Sequence, residues 1–345
     1  MTWLRTAVRR WGWKTVGAVI TAFGIYVVLP SVITLMGAWP DLGNVRPWWF
    51  LILAGLELAS FAALWVLVRI SLPHTPWAAA ATSQVVGNAA AKVLPGGAAA
   101  GGVAQGRVLV QAGQPTATVA TALTAIGLLT TGVLLALPVL TVPAVIIGPP
   151  PARQLQLGLL VSVVVAVAVV ALGTMMLAWD RFVAAVGRAA GFLVHVVRRS
   201  VTPSSAEAAL FVQRDEVAAA FAGRWKTALA FAAANRMFDY AALVAALYAV
   251  GAHIRPAMVL LAYVVAMGLA TVPITPGGLG VVEAGLTTLL VLAGVSADQA
   301  AVGTLLYRLA SYWLPIPLGA LAWAAWQFRH RLPDEVHRVP DPDGG

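Results

Sequence analysis

The chain has 345 residues, of which 60 % are hydrophobic and only 10 % charged, with a mean hydropathy of +0.86. A soluble domain carries about a quarter charged residues, so this composition excludes a water-covered globule. Its net charge of +9 falls at the ends of apolar runs, a pattern that fits membrane orientation and argues against nucleic-acid binding.

The predicted elements follow in chain order. Arg5, Arg9, Arg10 and Lys14 precede a first span over Thr15–Met36. This run is long and lacks a clear small-residue cleavage site, so it reads as a retained span, not a signal peptide. A second span, Trp48–Val68, contains Glu57 and closes on Arg69. A broken unit follows: Trp77–Leu94, the Pro95-Gly96-Gly97 interruption, then Ala98–Ala112. Thr116–Leu140 and Leu155–Ala178 are the next spans, with Pro149-Pro150-Pro151 between them. The polar stretch Trp179–Arg224 reads as one long cytoplasmic loop holding an amphipathic surface helix. Trp225–Val250 is the fifth span, and a second broken unit runs from Pro256 through Pro276-Gly277-Gly278 to Ala293. Ala297–Trp326 is the sixth span, before a Pro- and Gly-rich tail that reads as disordered. Tryptophans mark many of these edges, as interfacial anchors do.

The two broken units repeat one pattern. Pro95-Gly96-Gly97 is followed by Ala112-Gly113, and Pro276-Gly277-Gly278 by Ala293-Gly294, offset by 181 residues (95 to 276). Each copy is preceded by a carboxylate in mid-helix, Glu57 and Asp239. Basic segments on the cytoplasmic side make the first broken unit start and end inside and the second start and end outside. The expected fold is therefore an all-α, polytopic helical membrane protein with an inverted-topology repeat and two Pro-Gly-Gly-broken, re-entrant hairpins. The repeats are expected at 15–140 and 155–327, joined by an outer loop at 141–154, with both termini cytoplasmic in the plasma membrane. Gly/Pro-broken apolar segments at matching places in two halves point to a transport site.

Charges inside a bilayer are costly and persist when paired or when they line a polar cavity. The candidates are Glu57, Lys92, Arg107, Arg236, Asp239, Glu283 and Arg308. Asn88 and Lys92 share a helical face; Lys92 either meets an anionic headgroup or a carboxylate across the site, or snorkels to an interface. Arg107 either forks a phosphate or anchors at the cytoplasmic surface. Arg236 and Asp239 either pair within their helix or leave Asp239 to meet Arg308, itself a candidate phosphate ligand. Glu57, Asp239 and Glu283 read as counter-charges or proton carriers, and Glu283 also suits a helix N-terminus. At the breaks, Gly96, Gly97, Gly277 and Gly278 let the chain turn, while Pro95 and Pro276 interrupt helical bonding. A helix restarting there aims its N–H groups at an anion, with Thr275 as cap and Pro276 at the first position of the second restart.

The chain has no cysteine, and its histidines are scattered. No metal motif, Walker loop or nucleophile elbow is present in the sequence, so no metal or cofactor is expected.

Segments Leu94–Gly113 and Pro273–Gly294, with Arg308 and Ser311-Tyr312-Trp313, resemble the lysylphosphatidylglycerol synthase transmembrane-domain family, the flippase-like half of the multiple peptide resistance factors. The similarity spans about Val16–Phe328. It implies an inverted-repeat helical fold that moves lipids or lipid-linked headgroups between leaflets, and it carries over Pro276, Gly277, Gly278, Glu283 and Arg308. Full-length synthases add a soluble aminoacyl-transferase domain; this chain stops shortly after its last span, so an enzyme is not expected. The expected function is a flippase for an anionic phospholipid or a polyprenyl-phosphate-linked headgroup, with membrane lipids as partners. The alternative is a non-transporting accessory or scaffold for a membrane glycosyltransferase, and a homo-oligomer is a further candidate assembly. An intramembrane lipid-modifying enzyme is a third class, for which no carboxylate or histidine cluster of metal-ligand spacing is visible.

Overall fold

A computed structural model describes residues 45–94, 96–143, 153–197, 202–221, 223–270 and 278–330. The span expected at Thr15–Met36, Pro95, the triple-proline loop, Thr275, Pro276, Gly277 and the tail lie outside the described residues.

The described residues form α1 (Trp48–Ser71), α2 (Trp77–Val93), α3 (Ala98–Gln111), α4 (Thr116–Ala136) with a 3-10 turn at Leu137–Thr141, and α5 (Arg153–Ala178). They continue with α6 (Asp180–Val197), α7 (Pro203–Ala220), α8 (Trp225–Ala249), α9 (Pro256–Ala270) and α10 (Val281–Leu292). Last come α11 (Ala297–Arg308), a π-helical turn at Leu309–Trp313, and α12 (Pro315–His330). No strand occurs among the described residues.

Among the described residues, three segments are long and apolar enough to cross a membrane: Trp48–Ser71, Thr116–Thr141 and Leu157–Met176. The 25-residue α8 matches them in length but carries Asn235, Arg236 and Asp239 in its middle. The stretch 179–224, expected as a loop with one surface helix, is instead a helical hairpin. Thr202 and Ser205 cap α7 reciprocally (3.1 and 3.2 Å), and α6 packs on α7 with a Cβ on Gly187 only 2.6 Å from the Glu207 backbone. Arg214 ties the pair together by bonding Asp180 (2.5 Å) and Asp215 (2.8 Å).

The 181-residue offset holds at the level of elements. The helices after the two breaks end at Gln111 and Leu292, and the next ones begin at Thr116 and Ala297. Both endings are the same Schellman cap. Gly113 and Gly294 have φ of 91° and 96°. The Gln114 N–H donates to the Leu109 carbonyl (3.1 Å) and the Val295 N–H to the Leu290 carbonyl (3.0 Å).

The corresponding helices α1 and α8 make the most extensive helix contact among the described residues, and they run antiparallel. Arg224 donates to the Ile70 carbonyl (3.0 Å), Ser60 and Asn235 bond each other (2.8–3.1 Å), and Glu57 lies beside Asp239. Going down α1 thus means going up α8. The Arg224 end also holds Arg69, which bonds the Thr75 carbonyl (3.1 Å) and covers Trp77 (4.3 Å). The hairpin α2–α3 opens at this end, where Trp326 of α12 bonds Gln111 (3.0 Å). The hairpin α9–α10 opens at the other end: Tyr240 bonds the Pro256 carbonyl (2.7 Å), and Gln299 bonds the Gly251 carbonyl (3.2 Å).

Small residues set how closely these pieces approach. A Cβ on Gly101 would lie 2.6 Å from the Gly87 carbonyl oxygen, and one on Gly319 would lie 2.3 Å from the Ala89 Cβ. This is close helix packing through small side chains, the main source of helix association where lipid is as apolar as leucine. Gly319→Val is expected to cost about 1–3 kcal/mol through overpacking, and Gly102→Ala, with open space around it, to be near neutral. Thermal unfolding of the two variants in detergent checks the difference.

Candidate functional site

Around the middle of α1 and α8, far from either helix end, five carboxylate and cationic side chains gather where apolar residues would otherwise meet. Glu57 is buried. It stands one turn from Ser60, whose bonds to Asn235, one turn from Asp239, place the two carboxylates side by side on the α1–α8 crossing, and the Lys92 charge acts on it. One of its oxygens, Oε1, is buried with no hydrogen-bond partner among the described residues. Asp239 accepts from the Tyr263 hydroxyl (2.5 Å) and the Tyr307 hydroxyl (2.9 Å). The two tyrosines come from α9 and α11, so this single carboxylate knits three helices of the second copy.

Lys92 is the last residue but one of α2, next to the first break. Its Nζ donates to the Ser311 carbonyl (2.6 Å), and the Tyr312 hydroxyl donates back to the Lys92 carbonyl (3.0 Å). Ser311 and Tyr312 lie in the π-helical turn, which frees carbonyls from regular pairing and is a frequent feature of functional sites. The Tyr312 ring takes two cations, Lys92 (5.2 Å) and Arg308 (4.1 Å). Arg308 then pairs with Glu283 (Nε to Oε1, 2.7 Å). The second oxygen of Glu283 accepts from the Gly280 N–H (2.7 Å), closing the N-terminus of α10. A continuous polar chain therefore runs from the first break, through Lys92, Tyr312, Arg308 and Glu283, to the second.

Several expectations change here. Arg308 is joined to Glu283, not to Asp239. Asp239 has no ion pair with Arg236, because Tyr263 and Tyr307 hold it; Arg236 turns to the Thr130 carbonyl (3.3 Å). The described helix after the second break, α10, starts at Val281 with Gly280 as its cap position; the cap and first position expected at Thr275 and Pro276 lie outside the described residues. Glu283 takes the helix-terminus position at which an anion was expected. Arg107 is not drawn into the cluster: it is exposed on α3, one turn before Gln111. Gly96, Gly97 and Gly278 adopt φ of 100°, 51° and 72°, as chain reversal requires, and Gly97 is the cap position of α3. The Oδ1 of Asn88, one turn before Lys92, is buried without a partner among the described residues.

Sequence reasoning passed over the tyrosines as participants. Tyr263 carried a usable signal, because it is the only hydrogen-bonding side chain in the otherwise apolar α9. Ser60 and Asn235, which pin the α1–α8 crossing beside Glu57, gave none, since their meeting depends on helix pairing.

The profile of one family, the lysylphosphatidylglycerol synthase TM region, matches residues 1–319. The chain belongs to that family. It is thus a membrane protein related to lipid-modifying and flippase-like proteins. No curated protein matches the chain. Leu94–Gly97 and Arg308 of the recognised pattern are the residues whose surroundings hold the polar chain. Pro276 and Gly277 of that pattern lie outside the described residues.

Breaking one partner of a buried ion pair strands the other, a loss of about 3–5 kcal/mol. Arg308→Ala is therefore expected to lower the melting temperature in detergent strongly. Glu283→Gln, which keeps an acceptor for the Gly280 N–H, is expected to cost clearly less than Glu283→Ala.

Proposed function

We propose that the chain is a lipid translocase that carries an anionic headgroup, of a phospholipid or a polyprenyl-phosphate lipid, between leaflets. The observation that carries this reading is the chain of charged contacts from Lys92, near the end of α2, through Tyr312 and Arg308 to Glu283 at the start of α10. The helices of the two hairpins are short. α2, α3, α9 and α10 have 17, 14, 15 and 12 residues, or roughly 18–25 Å at 1.5 Å per residue. A hydrocarbon core is about 30 Å thick, which supports re-entrant hairpins. The antiparallel crossing of α1 and α8, at matching places in the two copies, supports an inverted repeat around a midplane site. On this reading the protein is multi-pass, and the end bearing Arg69 and Arg224 faces the cytoplasm with both termini.

The headgroup phosphate is recognised by Lys92 and Arg308 beside Tyr312. A guanidinium and an ammonium suit a phosphate, the first as a fork and the second as a point charge. The Glu283 carboxylate competes with the phosphate for Arg308 and for the N-terminus of α10, so phosphate binding exchanges one anion for another. That exchange avoids leaving Arg308 uncompensated in the membrane at any stage. Glu57 and Asp239 are the counter-charges behind Lys92. The acyl chains stay in lipid while the headgroup moves past the hairpin tips. No chemical step on the lipid is needed, which is why transport is preferred to catalysis.

The test is transbilayer movement of fluorescent phosphatidylglycerol in reconstituted vesicles. The wild type is expected to move it, and Lys92→Gln, which keeps a donor for the Ser311 carbonyl, to move it at least tenfold more slowly while melting at a similar temperature. Equal rates in the two proteins would reject the role of Lys92. Absence of movement in the wild type, with this lipid and with a polyprenyl-phosphate probe, would reject the translocase.

A further inference from the structure

Glu57 and Asp239 have a relation that headgroup binding does not use. They stand at nearly equivalent places in the two copies, 38 and 37 residues before Pro95 and Pro276, and come from α1 and α8 to the same point of the antiparallel crossing. Glu57 stands one turn from Ser60 and Asp239 one turn from Asn235, so the Ser60–Asn235 bonds set the two carboxyl groups side by side on the antiparallel crossing. Two carboxylates placed so only accept and repel; one proton between them turns the pairing attractive. Two buried like charges at contact also repel strongly, so a close carboxyl pair commonly holds a single proton in common. The surroundings fit that count. Asp239 already accepts two tyrosine hydroxyls, whereas Glu57 Oε1 is buried with no partner.

We propose that Glu57 and Asp239 form an exchangeable proton site that couples headgroup movement to a proton gradient. This rests on the translocase reading and supplies its driving force. The groups facing the pair are Lys92 from α2, Tyr263 from α9, Tyr307 from α11 and, on the far side of Tyr263, Arg236 of α8. Arg308 lies beyond Lys92 and acts on it. Lys92 is the linking element, since it compensates the carboxyl pair and is also a ligand of the phosphate. A phosphate that takes up the charge of Lys92 leaves the pair less compensated, and a proton from water restores the balance by forming one carboxyl O–H bond. Release of the phosphate returns Lys92 to the pair and the proton to water. Anion and proton then bind each other's partner state more tightly, by the same factor in both directions. The proton is exchanged with water throughout, so no further reactant is required.

Two measurements test this on the full chain. Infrared spectra of the purified protein at neutral pH are expected to contain a protonated-carboxyl band that is lost or shifted in both Glu57→Gln and Asp239→Asn. A wild-type spectrum without such a band overturns the proton site, whatever the folding of the variants. In vesicles of phosphatidylcholine and phosphatidylglycerol, a pH gradient is expected to accelerate fluorescent phosphatidylglycerol movement several-fold in one direction. Glu57→Gln is expected to abolish that acceleration. Lipid movement that ignores the gradient overturns the coupling and leaves the translocase standing. No lipid movement under any gradient overturns both.

Discussion

A charge inside an apolar slab must be compensated within contact distance, and that constraint organises this molecule. Glu57, Lys92, Asp239, Arg308 and Glu283 belong to five helices, and each is answered by a neighbour from another element, or, at the α10 terminus, by backbone. Were any one helix displaced, a charge would be stranded where stranding costs several kcal/mol. The apolar surfaces of the helices have no comparable preference for one partner, because lipid satisfies them equally well. The polar chain therefore fixes which helices meet and at what height, and small residues such as Gly87, Gly101 and Gly319 fix how near they come.

The same requirement ties architecture to mechanism. On the translocase reading, a polar centre midway along α1 and α8 is reached from both sides, and the two hairpins open at opposite ends of that pair. Glu283 illustrates the economy of the arrangement: one carboxylate caps α10 and holds Arg308. The π-helical turn does similar double duty, since its Ser311 carbonyl receives Lys92 while its Tyr312 ring faces two cations.

Much of this was legible in the chain. The repeated Pro-Gly-Gly and Ala-Gly pairs encode a break and a Schellman cap, both local features, and local backbone chemistry survives into the fold. Buried ionisable residues announced themselves through cost alone, and five of the seven singled out are joined in one cluster. What stayed hidden were the partnerships. Arg308 with Glu283, Asp239 with two tyrosines, and Ser60 with Asn235 each join residues from different helices, and helical spacing says nothing of a neighbour on another helix. The contact by which Glu283 reaches back to the Gly280 N–H at the start of α10 is local, yet its second bond, to Arg308, is not. The α6–α7 hairpin was missed because its contacts are polar and its helices lack a membrane-length apolar run.

The central claim is that the two copies face opposite sides of the membrane. The chain has no cysteine, so single cysteines can be placed at Thr116 and Ala297, exposed positions that correspond in the two copies and flank the two hairpins. Labelling with a membrane-impermeant maleimide, in sealed vesicles of known orientation, reads the side directly. The arrangement predicts that Thr116→Cys reacts from the cytoplasmic side and Ala297→Cys from the opposite side. Reaction of both from one side would contradict it.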